Sequence, residues 1–305
     1  LARMPESGSS VARVTSLFGN DVLQLLERMR INSSRRFTNR AQGEHLISKG
    51  GSSNEFADYR DYVEGDDVRY VDWNIFARLQ RPYMKTYRHE EELHVVILLD
   101  ASASMGFEGK LTLAQQLAAA FGIMGLLSGE RVSCWRLNGG EDALECLAPC
   151  RGRGSMAALL RFIEGVEAHG DMPIEMGVEN CLRQHRGRGV AVLLSDFLTF
   201  GDVPRAMNSL FSKGLETLGL QILGPSEREP ELEADVRLVD CELGRTLDVT
   251  GVGSLLDIYH EYRMALEAHL VAACTGRGGR FLSLDASADL RWILCDLLRR
   301  RGWVR

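Results

Sequence analysis

The stretch "LHVVILLDASASMGF", Leu93 to Phe107, decides how this chain is read. Val95 to Leu99 are apolar without a break and run straight into Asp100, after which Ser102 and Ser104 stand at alternate positions. An unbroken apolar run ended by a turn marks a strand buried on both faces, which belongs in a parallel sheet covered by helices. "GVAVLLSDF" (189–197) repeats the pattern and carries Asp196 near its end. Around these two runs, strands and helices alternate. The pattern gives a helix in "KLTLAQQLAAAFGIMGLLSG" (110–129), a strand in "RVSCWRL" (131–137) and one in "DALECLA" (142–148). Helices follow in "SMAALLRFIEGV" (155–166), "IEMGVENCLRQH" (174–185) and "VPRAMNSLFSKG" (203–214). Strand "LETLGLQIL" (215–223), short strands at 236–240 and 246–249, a helix over 255–274, strand "GRFLSLDA" (279–286) and helix "ADLRWILCDLLRRR" (288–301) complete the series. The expected fold over 93–305 is α/β, with a mostly parallel central sheet and helices on both faces. Ligands of such sheets bind beyond the carboxyl ends of the strands, where strand order reverses.

Upstream, residues 1–20 read as disordered or loosely ordered, and 21–92 as an N-terminal helix followed by a β-rich segment. "DVLQLLERMR" has helical spacing at Val22, Leu23, Leu26 and Met29. Gly43 to Asn54 is polar and glycine-rich, and 55–92 is dense in aromatic and charged residues without clean periodicity. The 305 residues carry a net charge of −6, which argues against a dedicated nucleic-acid binder. The basic runs Arg28–Arg40 and Arg299–Arg305 read as solvated helix faces or helix ends. No long apolar span and no signal-peptide core are read here, so a cytoplasmic protein is expected. The seven cysteines are odd in number and irregularly spaced. Cys146 and Cys150 form a lone pair, and His89 and His94 of "HEEELH" are five apart where a shared helical face needs four; neither reads as a zinc site.

A tight turn after a strand brings residues i, i+2 and i+4 around one point. The carboxylate of Asp100 and the hydroxyls of Ser102 and Ser104 are hard oxygen donors suited to Mg²⁺, or to Mn²⁺ or Ca²⁺, and Asp196 on a neighbouring strand would hold a coordinating water. Few protein charges would then face the ion, leaving it able to accept an Asp or Glu from another protein. The competing reading is that Asp100 and Ser102 cap the next helix. A third, an Asp-dependent phosphotransferase with Asp100 as nucleophile, needs a second acid two residues on, where Ser102 stands. The sequence contains no G-x-S-x-G elbow and no phosphate-binding G-x-x-x-x-G-K-[ST] loop.

"DASAS" after an apolar strand resembles the metal-ion-dependent adhesion site of von Willebrand factor A domains. "GEHLISKGGSSNEFADYRDYVEGDDVRYVDWNIFARL" is similar to the signature of the bacterial family called domain of unknown function 58, through Gly65, Asp66, Asp67, Arg69, Asp72, Trp73, Ala77 and Arg78; "LLSDF" and "LVDCELG" also fit. The resemblance covers about residues 43–300. It implies a von Willebrand A-like Rossmannoid domain with a divalent ion at its upper edge. It also implies a MoxR-type AAA+ ATPase as partner, in the assembly or activation of protein complexes. The adhesion-site pattern adds a threonine from a loop before a middle helix, but "GDMPIEMGV" (170–178) has none. Ser155 and Thr199 are substitutes by position, and a structural scaffold with a degenerate site is the alternative. The signature acids are expected to form an Arg–carboxylate network with Trp73 as its apolar anchor, the alternative being a partner surface.

Overall fold

The computed structural model describes residues 14–33, 55–88, 93–138, 145–199, 201–230, 236–240, 246–249 and 252–305. The chain divides into two units, Arg35–Glu92 and the remainder, Leu1–Ser34 with Leu93–Arg305. One division falls between Glu92 and Leu93. The expected grouping of 21–92 is not found, because the first helix, α1 (Asn20–Arg28), belongs to the larger unit. Val22, Leu26 and Met29 lie in that unit's core, with Leu17 and Phe18 before them. The loose order expected of 1–20 is therefore corrected for 14–20, while 1–13 and the glycine-rich span lie outside the described residues.

In the smaller unit, β1 (Glu55–Asp61) pairs antiparallel with β2 (Tyr83–Arg88). Between them α2 (Trp73–Leu79) forms where no helix was expected. Asp72 starts it by accepting from the backbone N–H groups of Asn74 (2.9 Å) and Ile75 (3.2 Å), and it also meets Lys85 Nζ at 3.1 Å and Tyr59 OH at 3.2 Å. The signature acids are paired with cations, but in separate pairs rather than the expected network. Arg60 holds both oxygens of Asp66 at 2.7 Å and pulls that carboxyl down to about 2, and Arg69 donates to Asp67 at 2.6 Å. Trp73 is not the anchor: it is 60% exposed, with its ring edge-on to Phe76 at 5.9 Å.

The larger unit is built on a six-stranded sheet: β3 (His94–Leu99), β4 (Arg131–Arg136), β5 (Cys146–Cys150), β6 (Gly189–Ser195), β7 (Leu215–Leu223) and, after the short hairpin β8 (Val236–Val239) and β9 (Thr246–Val249), β10 (Arg280–Asp285). Strand order is β10-β7-β6-β3-β4-β5, with every neighbour parallel except the β4–β5 edge. This is the doubly wound α/β architecture expected from the two apolar runs. Alternation in β3 sends Val95, Ile97 and Leu99 to one core and Val96 and Leu98 to the other. The first core is covered by α1, α3 (Lys110–Leu127) and α4 (Met156–Glu164), the second by α5 (Ile174–Gln184), α6 (Val203–Ser212) and the C-terminal part of α8 (Val252–Thr275). A four-residue helix, α7 (Pro225–Arg228), follows β7, and α9 (Leu290–Trp292) continues into a π-helical turn at Ile293–Leu298.

The expectation that no segment is apolar and long enough to cross a membrane is corrected by α3, which passes on length and composition. Most of it is buried, with Leu113, Leu117, Phe121 and Met124 in the first core, so its all-round apolarity reflects enclosure by the sheet and neighbouring helices.

Gly189 pairs with His94 across β3 and β6, and an added Cβ there would lie 1.9 Å from the His94 carbonyl oxygen. Gly189→Ala is expected to cost at least 1–3 kcal/mol in denaturant unfolding, because the contact is with backbone that cannot swing away. Gly154→Ala, where nothing lies within 4 Å of the new methyl, should stay within about 0.5 kcal/mol of wild type. Asp72→Ala should cost about 1–2 kcal/mol and speed amide exchange in α2, since it removes a cap and a lysine partner together.

Candidate metal centre

β3 is followed by a crossover to β4 on one side and β6 by a crossover to β7 on the other, so the order reverses between β3 and β6. Asp100 and Asp196 follow directly on these two strands. The ladder continues one step past β3, with Asp100 N donating to Leu194 O at 2.9 Å. Asp100 is buried, its Oδ1 accepting from Ser102 N at 2.9 Å and its Oδ2 from the Ser195 hydroxyl at 2.5 Å. The chain then turns through a 3-10 segment, Ala103–Gly106, anchored by the fully buried Met105. That turn places Ser102 Oγ 3.0 Å from Ser104 Oγ. The helix-capping alternative is not met: Ser102 makes no side-chain cap bond, and α3 begins only after Gly109.

A third wall comes from the loop before α5. His169 N donates to Ala101 O at 2.7 Å and Ala103 N to Gly170 O at 3.1 Å. Asn138, just past β4, accepts from Ala101 N at 3.1 Å and donates to Met172 O at 3.0 Å. Gly170 is needed there: its φ is +97°, and a Cβ would fall 2.3 Å from Asn138 O. The segment "GDMPIEMGV" thus lies against the turn. The two positional substitutes are engaged elsewhere, Ser155 Oγ donating to Arg151 O at 3.0 Å and Thr199 Oγ1 accepting from Gly201 N at 3.2 Å.

Asp196 is also buried, but its carboxylate is already held. Oδ1 accepts from Leu198 N at 3.0 Å, and Oδ2 accepts from Lys110 Nζ at 2.8 Å. Lys110 is the first residue of α3, is 1% exposed, and pairs on its other side with Glu227 of α7. Phe197, directly after Asp196, takes a left-handed φ of 56°, a strained conformation for a bulky side chain, and donates its N–H to Ser195 Oγ at 2.8 Å. Burial first, and repulsion from Asp196 second, push the Asp100 carboxyl up to about 6. Burial works against the Lys110 ammonium, yet Asp196 and Glu227 outweigh it and raise its pKa.

The donor set suits a small hard cation. In an octahedral shell with metal–oxygen bonds of about 2.1 Å, adjacent oxygens stand about 3.0 Å apart, and the two seryl oxygens, here hydrogen-bonded to each other, already have that spacing. Among the described residues no three His, Cys, Asp or Glu side chains are grouped to hold a metal, so a cation here would rest on one carboxylate and two hydroxyls. Of the four residues read from sequence, Asp100, Ser102 and Ser104 are brought together, while Asp196 stands beside them with its carboxylate bound to Lys110. Lys110, Ser195 and Glu227 were missed. Ser195 stood next to an acid already singled out, but nothing near Lys110 in sequence separates it from a solvated helix start.

The chain belongs to the family described as protein of unknown function DUF58, whose model matches residues 58–269. It is 30% identical over 275 residues to an uncharacterized protein of Mycobacterium bovis and, equally, to one of Mycobacterium tuberculosis, covering 85% of this chain and 84% of each relative. Among solved structures it is similar to a conserved hypothetical protein, BatB, from Bacteroides thetaiotaomicron (16% identity, TM-score 0.41, 63% of this chain and 90% of that one). A further similarity is to a von Willebrand factor type A protein from Catenulispora acidiphila (18% identity, TM-score 0.35, 46% of this chain and 35% of that one).

An Asp100 pKa near 6, above the usual 3.8, means the folded state binds a proton more readily than the unfolded state. The ionised carboxylate therefore lowers stability most above pH 6, and the loss is relieved as pH falls from 6 toward 3.8. In metal-free buffer, Asp100→Asn should be more stable than wild type at pH 7.5, by an amount on the order of 2 kcal/mol, and that advantage should shrink as the pH is lowered through 6. Paired denaturant titrations across this range check it.

Proposed function

We propose that this protein is a non-enzymatic, divalent-metal-dependent interaction module. The observation that carries the reading is the convergence of Asp100, Ser102 and Ser104 at the point where strand order reverses, with the two hydroxyls at octahedral spacing. Asp100 would supply the single anionic ligand and Ser102 and Ser104 two neutral ones. A bound Mg²⁺ or Mn²⁺ would supply a Lewis-acidic point for an Asp or Glu side chain of a partner protein. The chain's own part is to fix the three oxygens in a turn held by Met105, Asn138 and the 169–172 loop.

Membership of the family supports extending the reading to a MoxR-type AAA+ ATPase as partner, in the assembly or activation of other complexes, as the sequence resemblance implies. A cytoplasmic location belongs to the same reading and is supported by the six described cysteines, all of them free thiols. The lack of a second acid at Ser102 supports a binding role over Asp-dependent phosphotransfer. One observation favours a second reading, a scaffold that works without metal: Lys110 already places a cation on Asp196.

With 5 mM Mg²⁺ or Mn²⁺ the melting temperature of the wild-type protein should rise, as any ligand of the folded state requires. Asp100→Ala should remain folded and show no such rise. Capture of the ATPase in a pull-down should be lost on adding EDTA and in Asp100→Ala alike. Metal-independent capture of equal strength by both proteins would leave the scaffold reading standing.

A further inference from the structure

Lys110 stands in a place that opposes a lysine on three counts. It is at the N-terminal end of an 18-residue helix, where the backbone dipole disfavours a cation. Its side chain is 1% exposed, so the ammonium has left water. It also lies beside the cluster read above as a cation site. What holds it there is specific. Asp196 Oδ2 accepts at 2.8 Å, and Glu227 accepts from the other side. Glu227 is itself fixed: its second oxygen accepts from Gly224 N at 2.8 Å, and its carbonyl accepts from Tyr259 OH at 2.5 Å. The neighbouring Ser226 N donates to Glu108 at 3.1 Å, tying α7 back to the turn before α3. The ammonium is thus clamped between a strand end and an immobilised loop.

We infer that Lys110 is a tethered counter-cation that withholds Asp196 from the metal and so sets the site's preference for an acidic side chain from outside. The inference rests on the metal-dependent reading proposed above. Both acids accept at each oxygen, but Asp100 meets neutral donors, Ser102 N and the Ser195 hydroxyl, whereas Asp196 carries the ammonium of Lys110, so Asp100 is the carboxylate of the pair whose charge is left for a divalent ion. Such an ion keeps a net positive charge after the protein's ligands are counted, and an incoming carboxylate is what neutralises it. Were Asp196 free to join, two protein carboxylates would balance the ion. The metal would then bind tighter and an external acid weaker. Lys110 is therefore a positioning residue for Asp196 and a specificity determinant for the partner, trading metal affinity for partner affinity.

The test compares the full-length wild type with Lys110→Met, and with Lys110→Met/Glu227→Gln, which avoids leaving Glu227 as a buried unpaired acid; circular dichroism establishes that each is folded. Mn²⁺ affinity is read by calorimetry and by the free-ion electron paramagnetic resonance signal, and acetate binding to the Mn²⁺-loaded proteins by water-proton relaxation. The expected result is Mn²⁺ binding at least tenfold tighter in the folded variants, with acetate at least threefold weaker. A lysine with a merely structural role would not tighten the metal when removed. If wild type binds Mn²⁺ and the folded variants bind it equally or less well, the inference about Lys110 is overturned and the metal-dependent reading survives. If wild type binds no Mn²⁺ but a variant does, Lys110 is upheld as the blocking cation and the metal-dependent reading of the natural protein fails. If neither binds, both fail.

Discussion

Two carboxylates at the ends of adjacent parallel strands, both almost wholly removed from water, are the constraint around which this structure is organised. Asp100 and Asp196 repel each other, and burial removes the solvent that would screen them. The chain settles each by a different route. Asp100 receives a hydroxyl and a backbone N–H; Asp196 receives a backbone N–H and a full positive charge. Much of the surrounding architecture follows from these two solutions. Ser195 turns its hydroxyl onto Asp100, Phe197 adopts a left-handed backbone with its N–H on that serine, and α7 docks so that Glu227 shares the ammonium of Lys110.

The sheet was legible in the sequence because strands buried on both faces leave a one-dimensional trace. "VVILL" and "VAVLL" cannot be solvated or half-solvated; their register, Leu99 beside Leu194, comes from the structure. The Asp100 turn was legible only in part: the alternate spacing of one acid and two serines past a buried strand allows their convergence, but Met105, Asn138 and the 169–172 loop hold the turn that achieves it. Lys110 was not legible, since its partners lie 86 and 117 residues away and only the crossovers bring them together. α1 was recognised as a helix but assigned to the wrong unit, because an amphipathic stripe shows that a face is buried without naming what buries it. Helix α2 was hidden by charges that read as irregular structure, among them Asp72, which proves to be the cap that starts it.

The signature segment obeys a separate logic. Its acids pair within the unit, Arg60 with Asp66, Arg69 with Asp67, and Lys85 with Asp72. Three of these six partners are well exposed, so the pairs order the segment more than they stabilise it. Asp72 differs in being buried and shared among a helix start, a lysine and a tyrosine, which makes it the acid whose removal the segment would feel most. Trp73, next to it, gives its ring to solvent and to Phe76 rather than to a core, whereas Val71 and Met84, bridged backbone to backbone, are buried.

The division of labour at the strand ends bears on what kind of site this is. A hydrolytic centre needs a group that takes a proton and a nucleophile that keeps its reactivity. Here Ser195 donates to Asp100, Ser102 and Ser104 are hydrogen-bonded to each other, and Lys110 lies between two acids. A recognition site has the opposite requirement, a fixed set of weak neutral donors around one charge, so that the strongest bond is left for the visitor. In the proposed reading the turn at Asp100 would meet that requirement, with the second acid, Asp196, tied to a lysine drawn from the start of the helix that follows the turn.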